Sequence, residues 1–414
     1  MNSRDRVNAA LEHRDVDRVP VDFAGHRSSG IMAIGYTRLR DALGLPKRPI
    51  RVFDVIQQLA VVDGDVLDRF GVDTIELGRG FSKDDADWKE WILPNGTPCL
   101  VPVWADLRQE GADWWLYNVH GRKAGLQKSG SLYFDQVLWP YSGGIPDDLS
   151  GIEDAVAAVM WSTATPPHTG RVSLEALAAG AAAFRASTDR AVIYLFGGSL
   201  FELGQYLCGS ENLMVWLALE PGKVHALMDA LVELHLRNLR RLLGAVGPFV
   251  DLVLFGDDFG MQTGPQISAE MYREFFKERE RRLWAEARRI ARAKTQLHCC
   301  GGVRPLLGDF IEVGLDSINP VQTNCAGMDP TSLKRDFGAR LTFWGGGCDT
   351  QSVLSLGSPA EVRAHVLERL PVMEKGSGFV FQQIHNIMAN VPSANIIAMF
   401  DAVAEHNGAR HDPH

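Results

Sequence analysis

Two segments of the chain carry side chains that could bind a metal ion: His298 with Cys300, and Cys348 further along. If residues 294–298 form a strand, its period of two places His298 and Cys300 on the same face. Cys348 follows a second apolar run, residues 341–344. One imidazole and two thiolates at two strand ends match the three protein ligands of a catalytic zinc with one open position. The sequence therefore predicts a zinc site formed by His298, Cys300 and Cys348.

The elements that must position these residues alternate short apolar runs with helical patterns. This alternation predicts an α/β protein, a (β/α)8 TIM barrel. The runs interpreted as barrel strands are residues 19–23, 72–77, 191–196, 250–255, 294–298, 315–319, 341–344 and 379–382. Helix starts are indicated by Ser268, by Asp329-Pro330 and by a capping box from Ser358 to Glu361.

A stretch at about residues 80–143 interrupts the alternation after the second strand. Residues 88–93 and 99–104 flank an Asn95-Gly96 turn, which is typical of a hairpin, and residues 114–119 suggest a further strand. We interpret the stretch as an antiparallel β insertion on the barrel. Residues 1–406 are expected to form one domain, and residues 407–414 a disordered tail.

In a barrel of this kind the chemistry lies at the carboxyl ends of the strands. The candidate substrate-binding residues at these ends are His26, Arg27, Arg79, Glu202, Tyr206, Asn319 and Gln322. The candidate catalytic residues are Asp257, Asp258 and His385, with either aspartate as the acid or as a fourth metal ligand.

Several of these residues also have a structural interpretation. Asp257 and Asp258 could cap a helix. His298 and Cys300 could form a hydrogen-bonded pair in the core. Cys299 is expected to pack as a small apolar side chain behind the strand.

Composition argues against several classes of protein. The 414 residues include 46% hydrophobic and 22% charged residues, as in ordinary globular proteins. A net charge of −9 argues against a nucleic-acid partner. We find no secretory signal, no run as long as a membrane span and no spacing typical of a disulfide framework. These features predict a cytoplasmic enzyme with no membrane partner.

Motifs along nearly the whole chain resemble the uroporphyrinogen decarboxylase superfamily. They are residues 6–13 (RVNAALEH) with 17–20 (DRVP), 256–262 (GDDFGMQ), 298–301 (HCCG), 318–322 (INPVQ), 343–346 (FWGG) with 349–351 (DTQ), and 385–387 (HNI). The matches extend to about residue 403. The resemblance implies a (β/α)8 barrel independently of the strand pattern.

The resemblance is closer to one branch of the superfamily than to the other. True uroporphyrinogen decarboxylases carry an arginine-rich loop after the first strand, which holds the carboxylates of a tetrapyrrole. Here residues 22–30 contain a single arginine, Arg27, which is too little positive charge for eight carboxylates. The zinc methyltransferases that work with corrinoid proteins have His-x-Cys and a later Cys, and these match His298, Cys300 and Cys348.

This branch implies a zinc-dependent methyltransferase. It would move a methyl group between a small methylated compound (a methoxy compound, a methylamine or a thiol) and the corrinoid, a cobalamin, of a partner protein. The alternative is a metal-free decarboxylase, in which Arg27 and Arg79 hold a carboxylate and Asp258 stabilises a cationic intermediate. A third hypothesis is a barrel that only binds a small molecule or a corrinoid protein. The family also suggests a homodimer.

Overall fold

A computed structural model describes residues 1–161 and 173–411 of the protein, with side chains through residue 408. The strands are β1 (Val52–Asp54), β2 (Leu59–Ala60), β3 (Thr74–Glu76), β4 (Trp88–Ile92), β5 (Pro98–Pro102), β6 (Asp106–Glu110), β7 (Asp113–Tyr117), β8 (Lys123–Gln127), β9 (Asp135–Gln136), β10 (Ala191–Gly197), β11 (Leu252–Gly256), β12 (Gly260–Met261), β13 (Gly264–Pro265), β14 (Lys294–His298), β15 (Ser317–Asn319), β16 (Thr342–Trp344) and β17 (Phe379–Val380).

The described α-helices connect and surround these strands. They are α1 (Ser3–Leu11), α2 (Ala33–Ala42), α3 (Gly64–Arg69), α4 (Ile152–Ala158), α5 (Leu174–Ala186), α6 (Phe201–Cys208), α7 (Ser210–Leu219), α8 (Pro221–Val246), α9 (Ala269–Tyr272), α10 (Glu278–Ala291), α11 (Leu307–Glu312), α12 (Pro330–Phe337), α13 (Val353–Leu356), α14 (Pro359–Glu374) and α15 (Ser393–His411). In the described ranges, no helix combines the length and the apolar character that crossing a membrane requires.

A parallel sheet of seven strands forms the barrel wall, in the order β17-β16-β15-β14-β11-β10-β3. The segment at residues 20–22 completes the wall between the two edge strands. The amide of Phe381 donates to the carbonyl of Pro20, and the amide of Asp73 donates to the carbonyl of Val21, at 2.8 and 2.7 Å. The predicted (β/α)8, TIM-barrel-like fold with an antiparallel insertion is confirmed.

Helix α1 covers the amino-terminal end of the barrel. Val7, Ala10 and Leu11 pack in one buried cluster with Ile193 and Leu254 of the barrel strands. With that end covered by apolar side chains, the polar candidate residues remain at the opposite end, where the strands terminate.

The insertion contains more strands than the sequence predicts. The hairpin β4–β5 turns at Gly96, whose φ of +81° is the left-handed conformation that glycine adopts at low cost. A four-stranded antiparallel sheet, β6–β9, follows the hairpin. The amide of Phe134 donates to the carbonyl of Ile56 at 3.2 Å, which ties the insertion to the loops above the barrel.

Helix α15 corrects the prediction of a disordered tail from residue 407. The helix continues to His411 because Asn407 is buried and anchored. Its side-chain oxygen accepts from the amide of Val19 at 2.9 Å, and its side-chain nitrogen donates to the carbonyl of Val19. Residues 412–414 lie outside the described residues.

Candidate metal and active site

The structure brings His298 and Cys300 together at the end of β14, with Cys300 Sγ 3.3 Å from His298 Nε2. The third group in reach is His385. One ligand atom from each of His298, Cys300 and His385 lies within 4.8 Å of the others. Zinc bonds of roughly 2.0–2.3 Å place ligand atoms about 3.5 Å apart, so small side-chain shifts would bring all three onto one ion. The chemistry of the donor set fits a three-ligand zinc site with an open position.

Cys348 is not part of this cluster, which corrects the ligand set expected from the sequence. Glycines 345 and 346 follow β16 with φ of +100° and +80° and turn the backbone there. Cys348 is then fully buried in the hydrophobic core, and burial raises the pKa of its thiol to about 12. Its carbonyl accepts from the amide of Ile384 at 2.9 Å. The backbone of Cys348 therefore supports the segment that carries His385, while its sulfur stays in the core.

A buried amide fixes the orientation of the His298 ring. Asn319 Oδ1 lies 2.8 Å from His298 Nδ1, while Asn319 Nδ2 donates to the carbonyl of Trp344 and to Gln382 Oε1. Because the Asn319 amide nitrogen is used by two acceptors, its oxygen must face the ring and accept from Nδ1–H. Nε2 then carries the lone pair, and it points toward Cys300. Asn319, expected to bind substrate, is a positioning residue of the kind that orients metal ligands.

A second histidine extends this buried network beneath the site. His26 Nε2 lies 3.2 Å from both Gln382 Oε1 and Asp22 Oδ2. His26 Nδ1 accepts from the amide of Ser28, so Nε2 is the protonated nitrogen. His26 is 1% exposed. It supports the rim of the barrel, which differs from its expected contact with substrate.

The loop that carries Cys300 is held by groups from the adjacent loops. Asp258 Oδ1 accepts from the amide of Cys300 at 2.7 Å, and Gln322 Oε1 accepts from the amide of Gly301 at 2.9 Å. Gly301 has a φ of +90°, and a Cβ there would lie 2.4 Å from the carbonyl carbon of Gly260. Gln322 therefore positions the loop, whereas we expected it to bind substrate. Asp258 Oδ1 is also 3.8 Å from His298 Nε2, close enough to serve the metal.

Asp257 has the helix-capping role that was the alternative to catalysis. Its two carboxylate oxygens accept from the amides of Leu200, Phe201 and Glu202 at 2.7–2.9 Å, at the start of α6. Burial raises the pKa of Asp257 to about 7, and the three amide donors oppose that shift. Both oxygens are committed to α6, so Asp257 positions this helix rather than acting as the acid.

Glu202 and Tyr206, one turn apart on α6, form the acidic group of the site. Tyr206 donates its hydroxyl to Glu202 Oε1 at 2.7 Å. Burial and the nearby carboxylates of Asp258 and Asp257 raise the pKa of Glu202 well above its ordinary value. Glu202 therefore holds its proton to higher pH than an ordinary glutamate does, which suits a general acid.

The protonation states of the three ligand candidates also suit a cation. Burial, with His298 and His26 nearby, lowers the pKa of His385 to about 3, so its imidazole is neutral and can donate a lone pair. Burial likewise lowers the pKa of His298. Burial and Asp258 raise the pKa of the Cys300 thiol well above its usual value. A divalent cation beside the sulfur would offset this cost, since metals deprotonate the thiols that they bind.

These groups open into a central cavity of about 530 Å³, which we define by His298, His385, Asp258, Glu202 and Arg27. Its volume is in the range of small-molecule sites. The apolar part of the wall includes Tyr194, Phe196, Leu203, Leu242, Leu254 and Phe255. The charged side chains that line it among the described residues are Arg27 and the carboxylates of Glu76, Glu202 and Asp258. Arg27 Nε is 2.7 Å from buried Asp54, so its charge is already compensated.

Arg79 lies in a different cavity. This side cavity, of about 160 Å³, is defined by Arg79, Lys83, Glu76, Trp88 and Trp104, between the barrel rim and the insertion. Glu76 lines both cavities. The structure therefore separates Arg27 from Arg79, which the decarboxylase hypothesis would place on one substrate.

Comparison with known proteins agrees with the fold. The family model for uroporphyrinogen decarboxylase (URO-D) matches residues 162–406, more than half of the chain. The chain belongs to the uroporphyrinogen decarboxylase family. A search of curated proteins finds no match. A solved structure of a methyltransferase from Methanosarcina mazei aligns with a TM-score of 0.58 and 18% identity, over 98% of this chain and 99% of the other. At this identity the likeness concerns the fold.

Two features of the site in this family member were missed by sequence reasoning. The first is His385 as a third ligand candidate, although its place after the eighth strand was a usable signal. The second is the buried network through Asp22 and Gln382, which carried no sequence signal because its members lie far apart in the chain.

Proposed function

We propose that this chain is a zinc-dependent methyltransferase that moves a methyl group between a small methylated compound and the corrinoid of a partner protein. The observation that carries the proposal is the cluster of His298, Cys300 and His385 at the wall of the central cavity. The family, and the fold shared with a methyltransferase from Methanosarcina mazei, are consistent with it.

In this proposal His298, Cys300 and His385 hold the zinc. The metal would supply Lewis acidity at its open position, and the partner's corrinoid would accept or donate the methyl group. The chain's own contribution is preorganisation. Asn319 holds His298 with Nε2 free, and Asp258 holds the backbone of Cys300.

Glu202 is the proton donor in the demethylating direction. When the bond between methyl carbon and its oxygen, nitrogen or sulfur breaks, the electron pair stays on the leaving atom, which needs a proton to become a neutral product. Tyr206 occupies Oε1 of Glu202, so Oε2 can carry the proton. After transfer, the Tyr206 hydroxyl continues to donate to the new carboxylate. The proton returns to Glu202 from solvent before the next cycle.

The charge of the central cavity argues against a polycarboxylate substrate. The one arginine that lines this cavity among the described residues is already paired with Asp54. A tetrapyrrole with eight carboxylates would find no uncompensated arginine or lysine there. We therefore expect no decarboxylation of uroporphyrinogen at rates typical of enzymes, on the order of one turnover per second or more.

The test is direct turnover with a corrinoid. Zinc-loaded protein is mixed with reduced cobalamin, or with its corrinoid partner, and a panel of methoxy-aromatics, methylamines and thiols. Formation or loss of methylcobalamin is read in the visible spectrum, with chelated protein as the control. Methyl transfer that depends on zinc supports the proposal. No spectral change with any compound and a confirmed partner would overturn it, and release of carbon dioxide from a carboxylated substrate would favour the decarboxylase.

A further inference from the structure

The side cavity has no role in the methyl transfer proposed above, and its walls combine aromatic and charged side chains. Four aromatic side chains line it: Phe53, Phe81, Trp88 and Trp104. Arg51 stacks on one of them, with its guanidinium carbon 5.3 Å from the centroid of the Trp88 ring. Flat apolar walls of this kind fit the faces of an aromatic ring.

The charge of the side cavity is opposite to that of the central cavity. Arg51, Arg79 and Lys83 line it together with a single carboxylate, Glu76. Arg51 is compensated by exposed Asp85 at 2.7 Å. Burial raises the pKa of Glu76, which weakens it as a counterion. The cavity therefore carries an excess of positive charge.

Arg79 is the group that this excess leaves unsatisfied. In the part of the chain that the structure describes, Arg79 forms no ion pair, and burial lowers its pKa although the more distant charge of Glu76 opposes that shift. A partly buried guanidinium has five N–H donors in a planar fork, and the ligand that matches this fork is a carboxylate. Glu76, if protonated, adds one more donor to the same ligand.

We propose that the side cavity binds a small aromatic carboxylate, with the carboxylate on Arg79 and the ring between Trp88 and Trp104. A cavity of about 160 Å³ suits one ring rather than a larger molecule. Lys83, an exposed lining residue whose ammonium lies over the Phe184 ring, adds attraction for an anion. The site does not depend on the metal, because none of the three ligand candidates lines it.

The experiment titrates benzoate into the full-length protein, chelated and zinc-loaded, by calorimetry and by tryptophan fluorescence. We expect binding with the same affinity in both forms. Benzamide should bind about 10-fold more weakly or worse, because it lacks the charge that pairs with a guanidinium. Benzylammonium, which has a similar shape and the opposite charge, should not bind.

Variants then locate the site. Arg79→Gln should weaken benzoate binding by about 10-fold or more. Lys83→Gln changes a surface residue and should weaken benzoate binding by about 2-fold. This variant therefore still tests the charge of the side cavity if Arg79→Gln fails to fold. Arg27→Gln distinguishes the cavities and should leave the affinity unchanged.

The proposal is overturned if benzoate fails to bind, if benzylammonium binds equally well, if Arg79→Gln in folded protein has no effect, or if binding requires zinc or Arg27. Because it needs no zinc or turnover, it can fail independently of the methyltransferase.

Discussion

The central and side cavities lie on either side of Glu76 and differ in almost every chemical property. The central cavity presents three acidic side chains, one compensated arginine and two of the three metal-ligand candidates, His298 and His385. The side cavity presents three cationic side chains, one carboxylate and aromatic walls. One rim of the barrel thus has a region suited to a cation beside a region suited to an anion.

The two cavities also differ in how their polar groups are held. In the central cavity, His298 and Cys300 are oriented by Asn319 and Asp258, which are themselves hydrogen-bonded or buried. In the side cavity, Arg79 has no hydrogen-bond or ion-pair partner among the described residues. Groups that are held in place by hydrogen bonds are typical of a catalytic site, whereas a charge without a partner is typical of a binding site that the ligand completes.

The largest effect that would separate the cavities is the loss of zinc. Cys300→Ala and His385→Ala should each lower zinc affinity by more than the roughly 100-fold that loss of an outer-shell partner can cost. Cys348→Ala is the matched control and should retain zinc, because its sulfur lies in the core. Zinc content is measured by elemental analysis after dialysis against a weak chelator. Loss of zinc from Cys348→Ala alone would restore the ligand set expected from the sequence.

The next effect concerns the proton donor of the central cavity. Glu202→Gln should lower kcat for demethylation by roughly 10²–10⁴-fold, the contribution of a general acid, while zinc content stays the same. Glu211→Gln changes an exposed glutamate at the start of α7 and should retain kcat. A Glu202→Gln enzyme with wild-type kcat would remove Glu202 from the mechanism and leave the zinc site untouched.

A smaller effect is expected from the residue that orients His298. Asn319→Leu should lower zinc affinity by roughly 10–100-fold and change the visible spectrum of the cobalt-substituted protein. Asn319→Asp keeps an oxygen that accepts from Nδ1–H of His298. It should restore most of the zinc affinity and most of the wild-type spectrum. If the leucine and aspartate variants give the same spectrum as the wild type, the amide does not orient the ring.

The smallest effect is a pH dependence of stability at the apolar end of the central cavity. Burial lowers the pKa of His235 to about 4, so the folded state favours the neutral ring. Its contribution to stability is present above the unfolded pKa near 6.5 and is lost as the pH falls toward 4. Between pH 6.5 and 5.5 the free energy of unfolding should fall about 1 kcal/mol more in the wild type than in His235→Gln. The free energies are measured by urea denaturation. If the free energy of unfolding changes equally between the two pH values in the wild type and in His235→Gln, the assignment is contradicted.

The sequence predicts the barrel and most of its rim because both follow from local pattern. The run at residues 294–298 matches β14 at both ends, and its period of two places Cys299 in the core behind His298 and Cys300. The rim residues Glu202, Tyr206 and Asp258 meet because strand ends converge in any such barrel.

The features that the sequence does not predict depend on packing between distant segments. The turn at glycines 345 and 346 directs the sulfur of Cys348 into the core, and no local rule specifies that direction. Asp257 and Asp258 are identical in type and adjacent, yet one caps α6 and the other holds the loop of Cys300. Arg79 was grouped with Arg27 because both follow early strands, while the insertion, whose position is set by its own packing, encloses it separately.

The ligands of the bound metal test the central claim most directly. X-ray absorption of the zinc-loaded protein counts sulfur and nitrogen neighbours, which differ in bond length by about 0.2–0.3 Å. One sulfur and two imidazole nitrogens are expected, from Cys300, His298 and His385. Two sulfurs, or no tightly bound zinc at all, would contradict the account.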